Sequence, residues 1–117
     1  MLHQLPPVVV VVFHMEGCPA CEAFLPKFRA IAPQYGPLSE DGPMAVTGRG
    51  VPSAIYDANK FDPLAEHFNI RATPTMLVLR RPAGQLRQEG DLDERAIHGM
   101  FRSAVHQLQL AAAAGWR

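Results

Sequence analysis

The sequence has few of the features that indicate secretion, disorder or nucleic-acid binding. Its 117 residues include only 2 cysteines, which are too few for the disulfide framework of a small secreted domain. The 11 lysines and arginines balance 11 aspartates and glutamates, so no net positive charge attracts nucleic acid or anionic lipid. Because 48% of the residues are hydrophobic and 19% are charged, the chain is too apolar to be disordered. We therefore predict a folded domain that binds neither nucleic acid nor a membrane.

A long apolar segment is also lacking. The sustained apolar run near the N-terminus covers residues 8–13, far short of the roughly 20 residues that cross a bilayer. Residues 1–7 contain no lysine or arginine, and no small-residue cleavage site follows the run, so no secretory signal is predicted. We expect a mature chain that begins at Met1 and resides in the reducing cytoplasm. It should form one domain over residues 1–117, with a core over about 8–108, a short N-terminal arm and a C-terminal tail.

Hydrophobic periodicity predicts alternating strands and helices. Residues 8–13 are β-branched or aromatic on both faces, which is typical of a central strand covered by helices on both sides. Apolar residues then recur every three or four positions, which predicts a helix over about residues 19–33. The next predicted elements are a strand over 53–57 and a helix that begins with Asp62 as its cap and ends at Asn69. Two strands follow, over 75–79 and 85–89. The last helix is predicted to begin with an Asp91/Glu94 capping box, to extend through 111–114 and to stop at Gly115.

This order of elements predicts the fold class. A parallel strand pair joined through a crossover helix, then a hairpin and a final helix, indicates an α/β fold. We predict a mixed four-stranded sheet in the order β-α-β-α-β-β-α along the chain, with helices on both faces. Residues 36–52 hold four glycines and three prolines and are predicted to be a long loop.

The two cysteines carry the strongest chemical signal. Cys18 and Cys21 are separated by two residues where a buried strand ends and a helix begins. At such a helix start the dipole and the unpaired N–H groups favour the thiolate of Cys18, so we predict that it is a nucleophile. Cys21, one turn further along the helix, would be the resolving thiol. Two alternatives remain: a metal site that recruits His3 or His14, or a pair of inert core cysteines.

At this point the sequence resembles the thioredoxin-fold thiol-disulfide oxidoreductases, the thioredoxins and glutaredoxins. The strand, the Cys18-Pro19-Ala20-Cys21 motif and Pro26 look like their active-site segment, and residues 68–75 are similar to their segment that ends in a cis-proline. The resemblance covers about residues 8–108. It implies that Pro74 is cis, that Thr73 offers backbone hydrogen bonds to an extended substrate strand, and that Pro19 also contacts the substrate.

Some residues depart from the family pattern. Thioredoxins carry tryptophan before the first cysteine, where this chain has Gly17. They also bury an aspartate with a lysine partner beneath the site, and the matching positions are Val12 and Ser53. The resemblance therefore leaves the proton acceptor of Cys21 unassigned. Glutaredoxins place a basic residue just before the first cysteine, whereas this chain has Glu16.

Together these observations predict a protein-disulfide oxidoreductase that cycles Cys18 and Cys21 between dithiol and disulfide. We expect no cofactor beyond that disulfide and no metal, protein disulfides as substrates, a reductase or glutathione as electron donor, and a monomer. Two alternatives stay open. One is a glutathione-dependent reductase, which the aspartate-bearing turn at residues 90–93 partly supports. The other is a binding module of the same fold with little turnover.

Overall fold

The described chain alternates strands and helices in the predicted order, with one additional strand. The structure, a computed structural model, describes residues 7–44, 50–81 and 84–114. Within these ranges the strands are β1 (Val8–His14), β2 (Leu38–Glu40), β3 (Ser53–Asp57), β4 (Thr75–Arg80) and β5 (Gln85–Glu89). The α-helices there are α1 (Pro19–Ile31), α2 (Asp62–His67) and α3 (Glu94–Ala113), and a 3-10 turn over Ala32–Gln34 follows α1. None of the helices in the described part is long and apolar enough to cross a membrane.

Strand β1 lies at the centre of one mixed sheet with the order β2-β3-β1-β4-β5. It is parallel to β3 and antiparallel to β4, and β5 is antiparallel to β4. This arrangement confirms the predicted α/β class and the central position of residues 8–13. Because Phe13 lies opposite Thr75, the last residues of β1 and the first residues of β4 lie side by side at the same end of the strands.

The number of strands is the main correction to the predicted fold. Over the described residues the sheet has five strands rather than four, because β2 forms within residues 36–52, which the sequence predicts as a loop. Three residues are too few to show a strand periodicity. Instead, β2 forms through its partner, with Leu38 opposite Ser53 and Glu40 opposite Ile55.

The turn that follows β2 is fastened to β3 by hydrogen bonds. The Asp41 N–H donates to the Ile55 carbonyl oxygen at 2.9 Å, and the Asp57 N–H donates to the Asp41 carboxylate at 3.3 Å. The Tyr56 hydroxyl donates to the Gly42 carbonyl oxygen at 3.0 Å. Burial raises the pKa of Tyr56, and the nearby Asp41 carboxylate adds to this effect, so the hydroxyl keeps its proton and remains a donor.

Two helices begin differently from the prediction, and a third ends earlier. Helix α2 begins at Asp62 itself, and no side chain caps it. Helix α3 is capped by Asp93, whose carboxylate accepts the Ala96 N–H at 2.8 Å. The predicted cap, Asp91, instead accepts a hydrogen bond from Lys27 Nζ at 2.7 Å. A tertiary ion pair is therefore found where a local helix cap was expected. Helix α1 ends at residue 31 rather than 33, and the predicted stop at 115 lies outside the described residues.

Apolar side chains fill both faces of the sheet. On the face covered by α1 and α3, the Phe28 ring lies 5.7 Å from Phe24 and 5.6 Å from Phe101, measured between ring centroids. On the opposite face, Phe13 packs 6.2 Å from Phe68, just after α2. The predicted covering of both faces is therefore confirmed, although α2 covers its face with only six residues.

Ser53 is a polar residue inside this core. It is fully buried, and its hydroxyl has no hydrogen-bond partner in the structure. We expect Ser53→Ala to raise the free energy of unfolding by about 1 kcal/mol, because the variant no longer buries an unsatisfied hydroxyl. Urea unfolding of the two oxidised proteins measures the difference. A lower free energy of unfolding in the variant would mean that the hydroxyl has a stabilising partner.

Candidate active site

The predicted cysteine pair lies at the junction of β1 and α1. Gly17, with a φ of +73°, turns the chain between the two elements, and no atom lies within 4 Å of the position that a Cβ would occupy. Backbone conformation rather than crowding therefore favours glycine where thioredoxins carry tryptophan. Cys18 is the N-cap of α1, and the exposed Pro19 is its first residue, where a missing N–H leaves no hydrogen bond unmade.

Cys18 and Cys21 form a disulfide, with their Cα atoms 5.2 Å apart. The two side chains differ in their access to solvent: Cys18 is half-buried, whereas Cys21 is only 1% exposed. Cys21 lies on the face of α1 that also buries Phe24 and Phe28. A protein disulfide can therefore approach the Cys18 sulfur, while the helix screens the Cys21 sulfur.

A backbone donor at the start of α1 contacts the Cys18 sulfur. The Cys21 N–H donates to Cys18 Sγ at 3.2 Å. The helix dipole adds positive potential at the same place, and both effects favour a negatively charged sulfur. The negative charges of Glu16 and Glu22 disfavour a thiolate at Cys18, but solvent screens these exposed carboxylates. The balance favours the thiolate of Cys18 once the disulfide is reduced.

A second segment, 55 residues further along the chain, contacts the same sulfur. The Thr73 hydroxyl donates to Cys18 Sγ at 3.5 Å, and the Thr73 carbonyl oxygen lies 3.4 Å from that sulfur. The Thr73–Pro74 peptide bond is cis, which is the geometry that the resemblance implies. The Gly90 N–H donates to the Pro74 carbonyl oxygen at 2.8 Å, and the Thr75 hydroxyl donates to the Ala72 carbonyl oxygen at 2.6 Å. These bonds fix the shape of the segment and fasten it to the residue that follows β5.

The strands beneath the cysteines are apolar. Val12 is fully buried, and the register of β1 and β3 places Ile55 opposite it, whereas Ser53 lies opposite Val10. Neither of the paired positions can accept a proton. His14, the last residue of β1, lies opposite Asp57. Among the described residues no group of three or more histidine, cysteine, aspartate or glutamate side chains could hold a metal ion, and His3 lies outside them.

A groove adjoins Thr73 on the side away from α1. It has a volume of about 140 Å³ and is lined by Met15, Ala58, Ile70, Arg71, Ala72 and Thr73. Sequence reasoning did not identify this groove or the contact of the Thr73 hydroxyl with Cys18. The available signal was weak: Met15 and Ile70 are single apolar residues in two separate connections, and only tertiary structure brings them together.

The contact between Thr73 and Cys18 leads to a prediction for the reduced protein. We expect Thr73→Val to slow the alkylation of Cys18 by iodoacetamide at neutral pH by about threefold, because the variant lacks the hydroxyl that donates to the thiolate. Thr73→Ser is the matched control, since it keeps the donor and should react at nearly the original rate. Equal rates for Thr73→Val and the unchanged protein would show that the 3.5 Å contact does not stabilise the thiolate.

Solved structures of similar shape exist, although no protein-family model and no curated protein matches this chain. The chain is similar to the germline-specific thioredoxin Deadhead of Drosophila melanogaster, with a TM-score of 0.66 and 21% identity over 87% of this chain and 85% of that one. It is also similar to a thioredoxin of Malassezia sympodialis, with a TM-score of 0.66 and 21% identity over 89% and 82% of the two chains. For the Nicotiana alata thioredoxin NaTrxh the TM-score is 0.66, with 20% identity over 88% and 77%. The chain therefore has the thioredoxin fold that its two motifs predict.

Proposed function

We propose that this protein is a thiol-disulfide oxidoreductase that acts on protein disulfides through Cys18 and Cys21. One observation carries the proposal: Cys18 is partly exposed at the start of α1, with its sulfur in contact with Thr73, while its disulfide partner Cys21 is 1% exposed. An accessible nucleophile beside a screened resolving thiol is the arrangement that disulfide exchange requires. Inert core cysteines would both be screened.

In the reducing direction, the reaction proceeds through two exchanges. The Cys18 thiolate attacks one sulfur of the target disulfide, which forms a mixed disulfide and releases the other target sulfur as a thiolate. Cys21 then loses its proton and attacks Cys18 Sγ, which releases the second target thiolate and forms the Cys18–Cys21 disulfide. Two electrons pass to the target, and its two thiolates take up two protons. An external dithiol such as a reductase, or glutathione, restores the Cys18–Cys21 dithiol.

Thr73, Pro74 and Pro19 are proposed to form the substrate-binding site, Thr73 and Pro19 by contact with the substrate and Pro74 by positioning Thr73. Thr73 is partly exposed beside Cys18 and can offer its backbone to an extended target segment. Pro74 has no N–H and is buried behind it, and Pro19 lies exposed at the other side of the Cys18 sulfur. A target strand that runs along Thr73 would bring its disulfide to Cys18.

The proton of Cys21 leaves without a carboxylate beneath the site, because Val12 and Ile55 are opposite each other there. We propose that water accepts this proton before Cys21 attacks the mixed disulfide. The second exchange should consequently be slower than in a protein with a buried base.

The cytoplasmic location and the monomeric state stay predictions.

The features that would capture glutathione are engaged elsewhere. In the turn before α3, Asp91 pairs with Lys27 at 2.7 Å, and Asp93 caps the helix through the Ala96 N–H. Glu16 lies on the surface just before the cysteines, where it repels an anionic tripeptide. These contacts favour protein disulfides over glutathione as the substrate.

Insulin reduction in the presence of dithiothreitol tests the proposal. We expect the protein to accelerate insulin precipitation well above the rate with dithiothreitol alone, and Cys18→Ser to give only that background rate. Equilibration with reduced and oxidised glutathione then gives the reduction potential, and with it the net direction of exchange. A folded protein that does not accelerate insulin reduction, with a Cys18–Cys21 pair that dithiothreitol reduces normally, would overturn the proposed activity.

A further inference from the structure

The groove beside Thr73 continues into a second, larger groove. The second groove has a volume of about 330 Å³ and shares Met15, Ala58 and Ile70 with the first. We call the two together the acidic groove, with this shared apolar floor. At one end lies Thr73, in contact with Cys18, and the wall of the other end carries Asp62 and Glu66 of α2.

The two carboxylates of the far end are available to a ligand. Asp62 and Glu66 are exposed, and within the described residues neither forms an ion pair. Arg71, the cation on the same groove, lies on the wall near Thr73, and its Nε donates to the Asn69 side chain at 3.3 Å. The acidic groove is thus apolar along its floor and negative at the end away from the cysteines.

Exposed acidic residues outnumber exposed basic ones around the site, although the whole chain is neutral; the exposed basic residues there are Lys60, Arg71 and Arg95. Exposed acidic residues occupy the end of the sheet where the cysteines lie, whereas Arg80 and Arg81 follow β4 to the opposite end. The exposed acidic residues at the site end other than Asp62 and Glu66 are Glu16, Glu22, Glu89, Asp91, Asp93 and Glu94, of which Asp91 is paired with Lys27. A positively charged segment is therefore attracted to this end of the molecule.

We infer that the acidic groove selects protein disulfides whose flanking residues include lysine or arginine, an inference that rests on the proposed function. An apolar side chain near the target cysteine packs on Met15, Ala58 and Ile70. A basic side chain further along the extended segment reaches Asp62 and Glu66, while Arg71 disfavours a basic residue directly beside the target cysteine. Oxidised glutathione, in which each half carries two carboxylates and one ammonium, is a poor occupant of the same groove.

Single-turnover reduction of matched peptides tests this inference. Three peptide disulfides of one sequence carry lysine, glutamine or glutamate three residues to either side of the cysteine, and the full chain is reduced beforehand and freed of reductant. We expect the lysine peptide to be reduced about fivefold faster than the glutamate peptide at low ionic strength. The ratio should fall toward one as the salt concentration rises from about 0.05 M to about 0.5 M.

Two double variants, each with two negative charges removed, show whether the rate ratio comes from the acidic groove or from the overall negative charge around the site. Asp62→Asn/Glu66→Gln should lower the ratio of the lysine to the glutamate peptide to nearly one. Glu22→Gln/Glu94→Gln removes two exposed charges from the same end of the molecule but outside the groove, and should retain most of the ratio.

The outcomes distinguish this inference from the proposed function. Equal rates for the lysine and glutamate peptides, in a protein that reduces the glutamine peptide, would overturn the selectivity and leave the oxidoreductase activity standing. An equal loss of the ratio in both double variants would assign it to the general field and overturn the role of the groove. A folded protein that reduces none of the three peptides would contradict the proposed function, and the selectivity would fall with it.

Discussion

Cys21→Ser is expected to hold its substrates as stable mixed disulfides, whereas Cys18→Ser is expected to hold none. The half-buried Cys18 sulfur can reach a target, and Cys21, at 1% exposure, cannot. Without the Cys21 thiol, nothing in the pair displaces the target from Cys18, so exchange stops after the first bond. Without Cys18, that first bond does not form. Both variants should lose catalytic turnover down to the background rate of the reductant.

Non-reducing electrophoresis of each variant mixed with a protein extract measures this difference. Cys21→Ser should give high-molecular-weight bands that dithiothreitol dissolves, and Cys18→Ser should give none above the level of the Cys18→Ser/Cys21→Ser double variant. If only Cys18→Ser gives such bands, Cys21 is the nucleophile and Cys18 the resolving thiol. If neither variant gives bands and zinc is found in the purified unchanged protein, the pair is a metal site, because a coordinated thiolate is not free to exchange.

Phe101→Ala is expected to cause a large loss of stability. Phe101 is fully buried between α3 and the sheet. Its ring stacks on Tyr35 at 4.7 Å with an interplanar angle of 6°, and it lies 5.6 Å from Phe28. Truncation removes both ring contacts and leaves a cavity, which should lower the free energy of unfolding by about 3–5 kcal/mol. Domains of this size are stable by roughly 5–15 kcal/mol, so the variant should unfold at much lower urea concentrations.

Two further variants show whether this loss comes from the buried aromatic cluster. Phe101→Leu keeps most of the buried volume and should lose less than Phe101→Ala. Leu86→Ala truncates an apolar side chain that is 41% exposed on β5, and it should change the free energy of unfolding by less than about 1 kcal/mol. A loss below about 1 kcal/mol for Phe101→Ala would show that the core relaxes into the vacated space.

Several elements could be predicted because their signal is local. Strand β1 is β-branched on both faces, and α1 and α3 repeat apolar residues at helical spacing, so each pattern specifies the element and its buried face. Asn69 also takes the predicted left-handed conformation after α2, with a φ of +54°. The β2 strand and the cap of α3 could not be predicted in this way. The β2 strand depends on its pairing with β3. For the cap of α3, the sequence offers aspartates at both 91 and 93, and in the structure Asp93 caps the helix while Asp91 pairs with Lys27.

The sequence by itself determined which two residues carry the proposed chemistry. Cys18 lies where the buried strand gives way to the helix, so its sulfur is at the helix start. Cys21 lies three residues later, about one helical turn on, which puts its sulfur on the buried face of the helix. Only the tertiary structure decided what surrounds that pair. Thr73 reaches Cys18 because β1 and β4 are antiparallel neighbours with Phe13 opposite Thr75, which brings the residues before β4 to the residues after β1. The acidic groove likewise combines side chains from three connections and from α2, and no local pattern in the sequence specifies such an encounter.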